Sequence, residues 1–574
     1  MKSFLLFILI VGVGTAKEWW EGGNFYQIYP RSFMDSDGDG IGDIKGITQK
    51  VQYLKAIGID GAWLSPIFKS PMFDFGYDIS DYYQVQPEYG TLEDLMELIE
   101  KAREVGLKIL LDFVPNHTSD EHEWFKKSIK REGIYTNFYI WEDGIPDPKN
   151  PGGRNLPPNN WNSEFRYSAW EWNEERQQYY YHQFGVRQPD LNYRDPNLRA
   201  AMEDVLKFWL DKGIGGFRID AVPYLYEYQD ASGKFPDEPR NPDCADPDDF
   251  CWTVHIYVKD QPETYDVVYS WRKIIDEYSQ KHGGEPRVIM TEAYASMDNI
   301  IRYYGNSTHK GSNIPFNFEM IQRLNKNSNA KDFSQVIAEY LSKVPKGSEP
   351  NWVLGNHDNK RVSTRFGEDR MDLINILLQT LPGVAVTYYG EEIGMTDVHI
   401  SWEDTVDPQA CGASPLTYEP YSRDPARTPF QWDDSPNAGF SNASKTWLPV
   451  SNNYKETNVK AEEKIPNSHL NIFKTLTKLK MEPTMQDGSF EQKVLSDDIF
   501  VYKRELAGSD TYLVVMNFGK DVQTVSLKSA FPNIADRAEV VVSSTQSPLQ
   551  RGDQVQTDNI KAPPSVATVF KSLK

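Results

Sequence analysis

The run LKILLDFVPNH, Leu107 to His117, decides the fold. Branched and aromatic residues fill it from Ile109 to Val114, broken only by Asp112, and Pro115 bounds it. Continuous apolar character over a short span marks a strand buried on both faces, and such strands belong to parallel sheets sheathed in helices. Seven more runs of this kind flank it: FYQIYP (25–30), GAWLSP (61–66), GGFRIDA (215–221), RVIMTEAY (287–294), IPFNF (314–318), NWVLGNHD (351–358) and GVAVTYYGEE (383–392). Amphipathic stretches lie between several of them. LEDLMELIEKAREVG (92–106) puts Leu95, Leu98 and Ile99 on one face and can end at Gly106. PNLRAAMEDVLKFWLDKG (196–213) opens on Pro196 and closes on Gly213. Eight strands alternating with helices predict a (β/α)8 TIM barrel. A doubly wound open sheet is the alternative, but no Gly-rich phosphate fingerprint follows the first strand.

Two excursions break the alternation. Residues 118–190 follow the third strand, are rich in Trp, Asn, Pro and Tyr, and are too long for a loop, so they predict a small inserted domain. Residues 395–450 form a second irregular stretch. From about residue 485 the pattern turns to period two, in DIFVYKRE, DTYLVVMNFG and AEVVVSS, which predicts a C-terminal antiparallel β-domain. The expected organisation is a signal peptide over 1–16, the barrel over 17–117 and 191–484, the inserted domain over 118–190 and the β-domain over 485–574.

Composition narrows the partners. The formal charge is −22, from 61 basic against 83 acidic residues, which argues against nucleic acid, because counterion release needs a basic surface. Aromatics reach 13%, with 15 Trp and 32 Tyr. That surplus on an acidic chain suits a neutral ring-shaped ligand with flat apolar faces, such as a sugar. At the N-terminus, Lys2, the apolar Phe4–Gly14 and the small residues Gly14-Thr15-Ala16 read as a cleavable secretory signal. The apolar run is too short for a membrane anchor, and the C-terminal VATVFKSLK lacks the apolar tail of a lipid-anchor signal. The expected location is extracellular. Cys244 and Cys251 enclose a loop short enough for a disulfide; the alternative is unpaired buried thiols, and Cys411 is left over, buried or free. Asn306 and Asn442 head glycosylation sequons. Asn116 does so by pattern, but it sits at a strand end.

In a barrel, chemistry gathers at the C-terminal ends of the strands. Those ends supply Asp112, Asn116 and His117 from the third strand, Arg218 and Asp220 from the fourth, Glu292 from the fifth, and Asn356, His357 and Asp358 from the seventh. A single acid at the end of an apolar strand is usually a structural ion pair. Several converging on one barrel face point to catalysis. The chemistry that wants them is glycosidic bond cleavage: one carboxylate attacks the anomeric carbon and another, with a raised pKa, protonates the leaving oxygen. A catalytic metal fits less well, since the histidines lack HExxH or HxH spacing and no cysteine lies near.

DFVPNH (112–117), GFRIDA (216–221), MTEAY (290–294) and GNHD (355–358), in that order, resemble the four signature regions of the α-amylase superfamily, glycoside hydrolase family 13. QPDLN (188–192) resembles the fifth region of its α-glucosidase and oligo-1,6-glucosidase branch. EWWEGGNFYQIYPRSF, DFGYDISDY and SRDPARTPFQWD bring the chain nearest the insect α-glucosidases, the maltases, from about residue 19 onward. The resemblance implies that Asp220 is the nucleophile, Glu292 the general acid/base and Asp358 the transition-state stabiliser of a retaining enzyme. It implies that His117 and His357 bind hydroxyls of the non-reducing glucose and that Arg218 orients Asp220. Tyr77 would stack on that glucose. Asp78 would hold its far hydroxyls, paired with Arg427 rather than Arg423, and so close the pocket for exo action. Phe165 and Phe184 would be aromatic walls. In this branch the residue after the nucleophile tends to be valine where α-1,6 bonds are preferred and alanine or threonine in maltases. Ala221 therefore implies an α-1,4 preference, with maltose, short maltooligosaccharides and sucrose as substrates. An oligo-1,6-glucosidase or a transglycosylating sucrose enzyme is the nearest alternative. A non-enzymatic, transporter-associated homologue would have lost catalytic carboxylates and carried a membrane anchor.

DSDGDGIGD (35–43) looks like the start of an EF-hand loop but has Gly46 where the bidentate glutamate should stand. Side chains of Asp35, Asp37, Asp39 and Asp43, with the Ile41 carbonyl, could ring a calcium ion at ~2.3–2.6 Å. Related enzymes with this pattern hold a metal here, so the expectation is a structural Ca2+ that staples the loop after the first strand.

Overall fold

A computed structural model describes residues 17–573; the expected signal peptide lies outside them. Eight parallel strands form the central sheet. They are β1 (Asn24–Ile28), β2 (Gly61–Leu64), β3 (Lys108–Phe113), β4 (Gly216–Ile219), β5 (Val288–Thr291), β6 (Ile314–Pro315), β7 (Asn351–Val353) and β8 (Val384–Tyr388). Each of the eight apolar runs supplies one. Their order is β6-β5-β4-β3-β2-β1-β8-β7, which leaves one seam, between β6 and β7. Pro315 has no N–H to give to a ladder there. Side-chain amides span the gap instead: Asn351 Nδ2 donates to the Pro315 carbonyl at 2.6 Å, and the Asn317 N–H donates to Asn351 Oδ1 at 2.9 Å. The (β/α)8 barrel is thus closed by two asparagines.

Period two sorts each strand. Phe25, Trp63, Leu110, Val288, Met290, Val353 and Val386 fill the barrel interior, while Tyr26, Leu64, Ile109, Leu111, Phe217 and Ile289 face the surrounding helices. Asp112 continues the inward row of Leu110, and Glu292 that of Met290. Arg218 and Asp220 follow the inward Gly216. The polar ends of these strands therefore point up the barrel axis as a consequence of the pleat. Gly216 is obligatory: its φ is +147°, and a Cβ would lie 2.0 Å from the Val288 carbonyl oxygen.

Among the helices, Leu92–Glu104 starts from a capping box of Thr91 and Asp94 and buries Leu95, Leu98, Ile99 and Ala102. Pro196–Leu210 is capped by Asp195 with Pro196 in its first turn. The stretch after β3 carries a small antiparallel sheet in the order Trp141–Glu142, Gln178–Tyr181, Trp170–Asn173. Its core of Ile140, Trp161, Trp170 and Tyr181 also takes in Phe235 and Val258. Those two belong to a second excursion, after β4, which docks through Asn160 on Glu238 and Trp161 Nε1 on the Pro236 carbonyl. The inserted unit is thus completed by chain that the sequence reading assigns to the barrel.

Strands Ser489–Val494, Ile499–Glu505, Tyr512–Asn517, Ala567–Leu573, Arg537–Ser543 and Gln554–Gln556 form, in that spatial order, the C-terminal antiparallel sheet. Its Phe500, Tyr502, Val514 and Val569 join one core with Phe333, Leu377 and Leu476 of the barrel's helices.

Candidate active site

Arg218 organises the floor of the site. It is buried, with Nη1 2.8 Å from Asp112 Oδ1 and 2.5 Å from Asp220 Oδ1, and Nη2 3.0 Å from Glu292 Oε1. One cation serves three carboxylates, so its attraction cannot fully offset their desolvation. Burial pushes Glu292 up to about 8, opposed by Arg218 and reinforced by the charges of Asp220 and Asp358. Burial also raises Asp220, but only to about 6, because Arg218 lies so close. Asp358 goes the other way. Its burial is overridden by the polar His357 imidazole beside it and by the cations Arg423, Arg427 and Arg218, which together hold it well below the usual carboxylate range. The turn after Asp220 adds a further restraint. Ala221 adopts a left-handed conformation, φ +48°, and its N–H donates to Glu292 Oε2 at 3.0 Å. Neighbouring carboxyl groups with separated proton affinities can act as an acid and a nucleophile side by side.

Above this floor is a cavity of about 360 Å³, the size of a small-ligand site. Asp220, Glu292 and Asp358 line it together with Tyr77, His117, His357, Phe165 and Phe184. Tyr77 stacks on the His357 ring, centroids 5.0 Å apart and planes 5° apart, and its hydroxyl donates to Asp112 at 3.2 Å. Gln27 Nε2, on β1, lies 2.8 Å from His357 Nδ1, which leaves Nε2 toward Asp358 at 3.4 Å. Burial lowers His117 to about 4 and His357 well below its ordinary value. Both rings are therefore neutral near pH 7, suited to hydroxyls rather than to anions. Phe184 packs 5.2 Å from His117 and edge-on to Phe165 at 6.0 Å.

The far end of the cavity corrects two expectations. Asp78 does not reach the cavity. It is fully buried, accepting from the N–H groups of Phe73 and Asp74 and from Ser70 Oγ, each at 2.9 Å, so its oxygens shape the turn. Asp74, four residues earlier, lines the cavity. Its arginine is Arg423, with Nη2 2.8 Å away, and Arg423 also reaches Asp358 at 3.3 Å. Arg427 lies underneath. Its Nε donates to the His357 carbonyl at 2.8 Å and its Nη2 to Asp358 at 3.2 Å, over the Tyr29 ring. Arg423 is itself aimed by the buried Asp407, which accepts its backbone N–H at 2.7 Å and its guanidinium at 2.6 Å. Asp74 stood in the quoted DFGYD motif. Asp407 and Gln27 carried no sequence signal, being one acid in an irregular stretch and one amide in a strand.

Elsewhere, the acidic loop brings carboxylate oxygens of Asp35, Asp37 and Asp39 within 4.8 Å of one another. Asp43 stands outside that trio, capping the helix Ile44–Gln49 through Gly46 N–H and accepting from Ser36. Cys244 and Cys251 form a disulfide with Cα atoms 5.7 Å apart, and Cys411 is free and exposed. Asn306 and Asn442 are exposed, whereas Asn116 is buried with its amide on Asp190 at 2.9 Å. Among the described residues no helix is long and apolar enough to cross a membrane.

A parallel barrel with a carboxylate cluster at its strand ends and a walled cavity above defines a (β/α)8 protein built on the glycosidase plan. The catalytic-domain model of the alpha-amylase family matches residues 27–488. Maltase A1 of Drosophila melanogaster is 55% identical over 569 residues, 98% of each chain. The salivary alpha-glucosidase of Aedes aegypti is 51% identical over 561 residues, covering 97% of this chain and 96% of its own. The crystal structure of the trehalulose synthase of Pseudomonas mesoacidophila superposes with a TM-score of 0.82 at 31% identity, covering 97% of this chain and all of that one. The chain belongs to the alpha-amylase family.

Proposed function

We propose that this protein is a secreted, exo-acting, retaining α-glucosidase that hydrolyses terminal α-1,4-linked glucose from maltose, short maltooligosaccharides and sucrose. The observation that carries the reading is the Arg218-centred cluster, in which Glu292 is pushed to about 8 and Asp220 to about 6 at the floor of a closed-ended cavity. Asp220 attacks the anomeric carbon, Glu292 protonates the departing oxygen, and Glu292 then deprotonates the water that releases glucose. Asp358, kept ionised by two arginines, faces the positive charge that develops on the sugar ring. Both reacting carboxyls grip nitrogens of one guanidinium. That proximity favours the ~5–5.5 Å separation of retaining enzymes over the wider inverting geometry. Asp74 and Arg423 wall off the cavity end, so a glucose at a chain terminus fits and the middle of a chain does not.

The insect relatives named as a maltase and an alpha-glucosidase support this reading. The salivary relatives support secretion. One observation favours a second reading: the solved trehalulose synthase shares the whole fold, so transfer of glucose to a sugar acceptor would use the same floor. The structural cation we propose is Ca2+, on Asp35, Asp37, Asp39 and the Ile41 carbonyl. The convergent carboxylate trio fits such an ion, which would fix the loop and take no part in the chemistry. Sugar chains at Asn306 and Asn442 belong to the same secreted reading.

The test is glucose release from maltose, sucrose and isomaltose by wild type and by Asp220→Asn. Release from maltose and sucrose by wild type, and from neither by Asp220→Asn, is expected. No release from any substrate would sink the hydrolase reading, and faster release from isomaltose would sink the α-1,4 preference.

A further inference from the structure

The loop that carries His357 and Asp358 leaves β7 at Leu354 and runs to Lys360. One side chain holds both of its ends. Arg365, on the short helix Val362–Phe366 that follows, donates from Nε to the Lys360 carbonyl at 2.9 Å and from Nη2 to the Leu354 carbonyl. A guanidinium is a rigid planar fork, so the two carbonyls and the residues between them are held at a fixed span. Glu391, from the turn after β8, backs the same loop. It is buried, its Oε2 accepts the Tyr388 N–H at 3.1 Å, and a Cβ on Gly355 would lie 2.1 Å from its Oε1. Arg365 is the strongest cation acting on Glu391, and Glu391 the strongest anion acting on Arg365. Neither residue lines the cavity. Arg423 and Arg427 aim the Asp358 carboxylate itself, whereas Arg365 grips the backbone that carries it.

We propose that Arg365 is a positioning residue for Asp358: by spanning the two ends of the loop, with Glu391 braced against Gly355, it sets the distance from that carboxylate to the reacting sugar ring without touching substrate. This inference rests on the α-glucosidase reading. On that reading Asp358 faces positive charge that the ring carries only in the transition state, and its attraction weakens with distance. A loop that slips therefore loses transition-state stabilisation, while the binding of a neutral sugar is little changed. The span, and not the charge alone, is what matters. An ammonium in place of the guanidinium is a point charge that cannot hold both carbonyls in one fixed plane.

The test measures the dissociation constants of two ligands in wild type, Arg365→Met and Arg365→Lys. One is 1-deoxynojirimycin, a glucose-like iminosugar that carries a positive charge on its ring when protonated, and the other is neutral glucose. In Arg365→Met the iminosugar should bind roughly 10–100-fold more weakly, the cost of misplacing a group by about 1 Å, while glucose stays within about threefold. Arg365→Lys should shift the same way. Loss of folded protein moves neither constant, because each is a property of the folded fraction. An iminosugar-to-glucose ratio within about threefold of wild type in Arg365→Met, or a wild-type ratio restored by Arg365→Lys, would overturn the proposal and leave the α-glucosidase reading standing. A wild type that binds neither ligand and releases no glucose from maltose would overturn that reading, and this inference with it.

Discussion

Two acidic clusters in this molecule, one from a single nine-residue run and one gathered from three strand ends, differ in what answers their charge. In the loop, Asp35 accepts the N–H groups of Asp37, Gly38 and Gly40, Asp37 that of Asp39, and Asp39 that of Ile41. No Lys or Arg pairs with them among the described residues. At the barrel mouth, guanidinium groups answer Asp220, Glu292 and Asp358: Arg218 below, Arg423 and Arg427 to one side. Backbone donors can gather like charges into an arc that a cation completes. Buried arginines, too few and unevenly placed, split the carboxyls into protonated and ionised members. The first arrangement suits holding, and the second suits reacting.

Breaking the barrel cluster should have the largest effect. On the proposed mechanism Asp220→Asn removes the attacking oxygen, and kcat on maltose should fall by ~10⁴-fold or more. Glu292→Gln should cost ~10²–10⁴-fold on maltose, and less on an aryl glucoside whose leaving group needs no proton. Dependence on pH follows from the same residues. If Asp220 attacks and Glu292 donates the proton, as proposed, kcat/KM should rise as pH passes about 6, where Asp220 ionises, and fall as pH passes about 8, where Glu292 loses its proton. Weakening the loop cluster should do something different. Chelation, or Asp37→Ala, should leave both limbs of that profile in place and lower the melting temperature by a few degrees, as loss of a stabilising ligand worth ~2–3 kcal/mol would. The smallest effect should come from Ala221→Val. A β-branched side chain at a left-handed position narrows the cavity beside Glu292, and the maltose-to-isomaltose ratio should fall by about tenfold.

Much of the reactive cluster was legible because a strand buried on both faces leaves an uninterrupted apolar run, and period two then fixes which end residues point inward. Asp220 and Glu292 are read that way. Legibility fails where contact is made through irregular chain. Asp74 and Asp78 are the same residue type four apart in one turn, and only the turn's hydrogen bonds decide which faces the cavity. Arg423 and Arg427 pose the same problem in 395–450. Asp407, which aims Arg423, and Phe235 and Val258, which complete the inserted domain's core, meet their partners with no periodicity to announce it. The Asn351 and Asn317 bridge that closes the barrel is likewise a side-chain device in strands too short to show it.

The central claim is that Asp220 and Glu292 cleave an α-glucosidic bond in two displacements at one face of the barrel. Proton NMR of the glucose first released from 4-nitrophenyl α-glucoside, recorded before mutarotation, tests it most directly. The account predicts α-glucose, absent when Asp220→Asn replaces wild type. Release of β-glucose by wild type, or unchanged release by the variant, would contradict it.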